Sequence, residues 1–172
     1  MYFCSDLWVG DADQIGCALD GDINRDRIIT LDWGDFVLCR VHLPGLLPGA
    51  DDPLSPEWLT EVAHELSRPA GRKVTFAAAR HRHVAGPPDE PAAYGAFEMN
   101  GGWVDFFAGL DDLAVRRIGQ RWARDVAAEV PPNGDLPLQE VELVDAVRLV
   151  GQMRDACRLA RERGAAVVYS WN

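Results

Sequence analysis

An α+β domain, with a mixed or mainly antiparallel sheet and three or four helices packed on one face of it, is what this sequence predicts. Three observations lead there. Strand-like and helix-like segments interleave without a regular βαβ repeat, which disfavours a parallel sheet. Two stretches carry hairpin signals. At 172 residues and 48% hydrophobic, the chain is long enough for one core and one domain, residues 1–172.

The elements follow in order. "MYFCSDLWVG" is rich in aromatic and β-prone residues and reads as a first strand, followed by a short helix from Asp11 to Leu19 that turns Ile15, Ala18 and Leu19 inward. "RIITL" and "DFVLCRVHL" flank Asp32-Trp33-Gly34-Asp35, a tight-turn composition, and predict a hairpin. Alternation in its second strand puts Val37, Cys39, Val41 and Leu43 on one face and Phe36, Leu38, Arg40 and His42 on the other. After the breaker-rich "LPGLLPGADDPL", Ser55 is placed to cap a helix with Pro56 at its first position, and Pro69 and Gly71 end it after Arg68. Trp58, Leu59, Val62, Ala63 and Leu66 recur at helical spacing there.

"KVTFAAARHRHV" reads as a strand, and "AGPPDEPAA" as a surface loop. In "AYGAFEMNGGWVDFF" the Asn100-Gly101 pair predicts a type I′ hairpin turn, since both residues tolerate positive φ. Asp111 or Asp112 then caps a helix with Val115, Ile118, Trp122 and Val126 on one face, and "VPPNGDLP" breaks it. A long helix from Leu138 to Arg163 buries Ala146, Leu149, Val150, Met153, Cys157 and Ala160. Arg154, Arg158, Arg161 and Arg163 suit the negative end of its dipole. Gly164 stops it, and "AAVVYSW" reads as a closing strand.

Charge narrows the class of partner. The formal net charge is −10, and 11 acids against 3 arginines between Met1 and Thr60 place −8 of it in the first third. That sign opposes a phosphate backbone and argues against nucleic acid; it suits a basic protein partner. No run has the roughly 18 uninterrupted apolar residues of a membrane span, and the N-terminus lacks a basic, apolar secretory pattern, so a cytoplasmic location is expected. Cys4, Cys17, Cys39 and Cys157 form no CxxC pair and sit among apolar neighbours, as reduced, buried structural thiols do.

"DGDINRDRIITLDWGDF" is the stretch richest in chemistry. Asp20, Asp22, Asp26, Asp32 and Asp35 bracket an apolar run around Trp33, and acids around one aromatic anchor make a protein-docking surface. The same stretch has Asp22, Asn24 and Asp26 at positions 1, 3 and 5 of a calcium loop, with Ile29 at position 8. "GDINRDRIITLD" therefore resembles the loop of the dockerin and EF-hand families over about a dozen residues. Arg27 stands where that loop has glycine, and Trp33 takes the twelfth position with Asp32 one residue early.

Other candidates are sparser. His81 and His83 share a strand face, and His42 joins them if its strand is their neighbour, giving three imidazoles for zinc. Glu61 and Glu65 flank His64 on one helix and read as a solvated face. No Gly-x-Ser-x-Gly elbow, Walker A loop or dinucleotide fingerprint occurs. "GWVDFFAGLDDLAVRRIGQRWARDV" and "ACRLARERGAAVVYSW" resemble the C-terminal half of small uncharacterised bacterial proteins, some similar to immunity proteins of toxin systems; the shared residues are packing residues. The expected function is thus a non-catalytic, cofactor-free module that binds a basic protein through Asp20, Asp22, Asp26, Asp32, Trp33 and Asp35. The alternative is a small enzyme or metal-binding protein using His42, His81 and His83 or the Asp22 to Asp32 loop.

Overall fold

The computed structural model describes residues 4–21, 36–44, 55–67, 73–87, 94–129 and 143–171. Five strands, β1 (Cys4–Gly10), β2 (Val37–Pro44), β3 (Arg80–Ala85), β4 (Gly95–Met99) and β5 (Ala166–Trp171), form one sheet in the order β2-β1-β5-β4-β3. Every neighbouring pair is antiparallel, so the fold is α+β as expected. β5, last in chain order, is the middle strand.

The helices described are α1 (Ala12–Gly21), α2 (Pro56–Ser67), α3 (Phe76–Ala79), α4 (Gly101–Ala108), α5 (Asp112–Glu129) and α6 (Leu143–Arg163). Their starts follow local capping chemistry. Ser55 Oγ accepts from the Trp58 amide and Asp111 Oδ1 from the Ala114 amide, each satisfying an orphan donor of the first turn. α6 ends at Gly164, whose φ of 63° is a conformation that glycine adopts without penalty. None of the described helices is long and apolar enough to cross a membrane.

Alternation along the strands feeds two cores. Leu7, Val9, Val41, Leu43, Val167 and Tyr169 face the larger one, where α6 lies against β1, β2 and β5 and α5 packs outside it. All six residues expected on the α6 stripe are buried there, as are Val115, Ile118, Trp122 and Val126 of α5. Each large apolar side chain so buried contributes roughly 1.5–3 kcal/mol. On the opposite face Trp8, Ala85, Ala96 and Val168 meet Ala12 and Ile15 of α1. The helices are therefore not confined to one face, because α1 has its own apolar stripe and returns across β3, β4 and β5.

Local structure departs from expectation at four places. Asn100 begins a helix instead of a hairpin turn: its Oδ1 accepts from the Trp103 amide at 2.9 Å, and its Nδ2 donates to the Ala78 carbonyl at 2.8 Å. An Asn-Gly pair serves either geometry, and the apolar run after it decides for the helix. The first half of "KVTFAAARHRHV" is α3, because Thr75 Oγ1 accepts from the Ala78 amide and caps a turn before β3 begins. Val37 reverses face: Val9 pairs with Cys39 but Gly10 with Val37, so Leu38 is an extra residue, and Val37 joins the smaller core. Finally, Cys17 is exposed on α1, whereas Cys39 is half-buried and Cys157 buried. "RIITL", "VPPNGDLP" and the residues 138–142 lie outside the described residues.

The double role of Asn100 gives a first prediction. Asn100→Ala removes a cap and a tie to the end of α3, and is expected to cost about 1–2 kcal/mol. Asn100→Asp keeps the acceptor and loses the donor, so its loss is expected to be smaller. Urea denaturation of the two variants measures the difference.

Candidate functional site

Asp6 is the centre of the most developed polar cluster described. It stands on β1 opposite His42 of β2 on one side and Ser170 of β5 on the other. Its side chain is only 6% exposed, against 51% for His42. Arg40 grips the carboxylate with two bonds, Nε to Oδ1 at 3.0 Å and Nη2 to Oδ2 at 2.8 Å, and His42 Nδ1 lies 3.1 Å from Oδ1. The guanidinium also lies over the Trp8 ring at 4.7 Å, and Trp8 Nε1 donates to Ser170 Oγ at 2.8 Å. Burial by itself would raise the Asp6 carboxyl. The hydrogen bonds from His42 and Arg40, with the Arg40 charge, outweigh it and hold the group below its usual range.

The row His42, Asp6, Ser170 contains the residue types of a hydrolytic triad in an order unsuited to that chemistry. A nucleophile must lie within hydrogen-bond reach of its base, roughly 2.6–3.2 Å. Here the carboxylate is on β1, between the strands of the other two, so the imidazole and hydroxyl are two strand spacings apart, about 10 Å. The arrangement anchors β2 to β1 and fixes an exposed imidazole by its Nδ1. It left no local trace in the sequence, since its members come from strands 34 residues apart.

A second cluster lies on the other face. Tyr169 Oη and Ser5 Oγ are 2.8 Å apart and buried, and burial, the dominant influence, pushes the phenol upward. Arg80 Nη2 donates to Glu57 Oε1 at 2.9 Å while its guanidinium packs over Phe76 and Phe97. Glu57 Oε2 and Arg80 Nε are buried without a hydrogen-bond partner. Both belong to one ion pair held by a single bond, and a small rotation into the two-bond register seen at Asp6 would match them to each other.

The residues singled out by sequence fall as follows. Asp20 is at the end of α1, and its Oδ1 accepts from the Gly86 amide at 2.8 Å, so it ties α1 to the end of β3. Asp22, Asn24, Asp26, Asp32, Trp33 and Asp35 lie outside the described residues. His42 is on β2 and His81 and His83 on β3, which are opposite ends of the strand order. Four strand spacings, roughly 19 Å, separate them, so the three imidazoles do not form a zinc site. The expectation failed because strand adjacency is non-local: β1, β5 and β4 intervene. His83 instead packs edge-on against Phe97 at 5.4 Å. Among the described residues no group of three or more His, Cys, Asp or Glu is placed to hold a metal ion. Arg82, between the two histidines, bonds Asp13 of α1 and Glu98 of β4.

Sequence reasoning missed the Asp6 cluster and the role of His64. His64 accepts a main-chain hydrogen bond from Val74. Glu61 on the same helix meets Lys73 at 3.0 Å. The chain matches no protein-family profile, no curated protein and no solved structure.

Proposed function

We propose that the protein is a non-catalytic, cytoplasmic binding module that docks a basic protein partner, in the manner of an immunity or inhibitor protein. The observation that carries this reading is the concentration of −8 of the −10 net charge between Met1 and Thr60, 11 acids against 3 arginines. A one-signed field of this kind steers an oppositely charged partner and raises its association rate.

Not every acid of that third contributes. Asp6 is matched by Arg40 and Asp13 by Arg82, whereas Asp20 accepts only from the neutral Gly86 amide and keeps its charge. The docking role falls on Asp20, Asp22, Asp26, Asp32 and Asp35 with Trp33 as apolar anchor. The chain around them enters from α1 and leaves into β2, where the Asp11 amide donates to the Phe36 carbonyl at 3.0 Å.

The test compares the wild type with a variant carrying Asp22→Lys, Asp26→Lys, Asp32→Lys and Asp35→Lys, each immobilised and exposed to lysate of the native cells. The wild type is expected to retain a basic protein that elutes with rising salt. The reversed variant should bind it at least about tenfold more weakly, mainly through slower association. Equal retention by both, or retention indifferent to salt, rejects the reading.

A further inference from the structure

The end of α2 is held to the chain that follows it by an imidazole. His64, in the last turn of α2, accepts the Val74 amide proton on Nε2 at 2.9 Å. Its ring lies nearly parallel to Phe106 of α4, with centroids 4.8 Å apart and planes inclined by 22°. Phe106 in turn helps to line a groove of about 360 Å³ together with Leu66, Leu110 and the exposed Leu113. One residue beyond Val74, Thr75 caps α3, which leads directly into β3. The His64 bond is thus the main-chain tie between α2 and the segment that sets the start of an outer strand, flanked by the side-chain pairs Lys73–Glu61 and Arg80–Glu57.

Accepting on Nε2 requires a neutral ring with its proton on Nδ1. A second proton converts the acceptor into a donor facing another donor, so the bond is abolished and a positive charge is left against the Val74 amide. The surrounding charges offer little relief. Lys73 adjoins Val74, and its ammonium is bonded to Glu61 at 3.0 Å. Glu65, next to His64 on α2, faces Arg121 of α5 at 3.7 Å. Asp105, next to Phe106 on α4, is bonded by Arg161 of α6 at 3.2 Å. Arg117 of α5 stands on the wall of the groove and adds a further positive charge. Each of the three acids already has a cationic partner, so holding an imidazolium means sharing it. Partial burial, and then the charge of Lys73, hold the His64 imidazole below its ordinary value.

We propose that His64 is an acid-released latch: its protonation releases the Val74 main chain from α2 and loosens the segment leading into α3. The sign is fixed by which form the fold binds. The neutral ring is the bound form, so closure is complete above the unfolded-state value of about 6.5 and is lost as pH falls through the lower folded-state value.

The experiment is amide hydrogen exchange at Val74, Thr75 and Ala78 between pH 7.5 and 5, corrected for the intrinsic pH dependence of exchange. Protection of Val74 is expected to fall roughly tenfold in the wild type, the worth of one hydrogen bond. It should stay flat in His64→Gln, whose side-chain carbonyl accepts without titrating. Constant protection in the wild type, or an equal fall in both proteins, overturns the latch. Should the variant fail to fold, the wild type decides alone. The His64 ring proton and the Val74 amide must then titrate with one midpoint, and separate midpoints overturn the proposal.

Discussion

Asp6→Ala is expected to cost about 3 kcal/mol of stability, the low end of the range for breaking a buried ion pair because Arg40 remains 28% exposed. The loss comes from what is left behind. Arg40 stays over the Trp8 ring with no carboxylate to receive its two bonds, and His42 loses the oxygen on its Nδ1. Asp6→Asn should lose less, since one oxygen still accepts. Replacing both partners, Asp6→Leu with Arg40→Met, should recover most of the loss, because neither charge then remains buried without its match. Urea denaturation of Asp6→Leu, Arg40→Met and the double variant completes the cycle; a double variant as unstable as Asp6→Leu alone would show that packing, not charge, governs the site. The same carboxylate sets an acid limit. Its folded-state value lies below 3.8, so its contribution is full above that pH and disappears as pH falls through the depressed value.

Gly119→Ala and Gly151→Ala are expected to act in opposite directions although both lie in the middle of helices that pack on each other. A Cβ on Gly119 of α5 would lie 2.6 Å from the Cα and 2.8 Å from the amide nitrogen of Val147 on α6, and main-chain atoms at a helix crossing cannot step aside. The helix-propensity gain of about 1 kcal/mol is outweighed by overpacking, for a net loss of about 2 kcal/mol. A Cβ on Gly151 of α6 would meet only Val115 Cγ1 at 3.7 Å, an ordinary contact. There the propensity gain stands, and about 0.5–1 kcal/mol of added stability is expected. Thermal melts of the two variants decide it: a gain from Gly119→Ala would mean that the α5–α6 crossing has room for a methyl group, and a loss from Gly151→Ala would mean that it has none there.

Where the chemistry is local, the amino-acid order was readable. Ser55 before Pro56, Asp111 before an apolar stripe, and Gly164 after the arginines of α6 each act within one turn of helix, and each is found in its role. Asn100 misled because one side chain suits two local geometries, and only the packing of Trp103 and Phe107 selects between them. Val37 misled because a single inserted residue, Leu38, inverts the alternation before it. The sites depended on strand order, which no spacing encodes. His42 and His81 share a residue type but occupy opposite edges of the sheet, while Arg40 lies beside Asp6, which nothing in the sequence singles out.

The position of β5 has a consequence for biosynthesis. Translation delivers β1 and β2 first and β3 and β4 later, yet within the sheet these two pairs are joined by β5, which is made after both. Until Ala166–Trp171 leaves the ribosome, each pair has an unmatched margin of main-chain donors and acceptors. The nascent chain must therefore wait with its sheet in two halves, exposed to mispairing and to chaperones, and closes it in one late step that joins residues as far apart as Ser5 and Trp171.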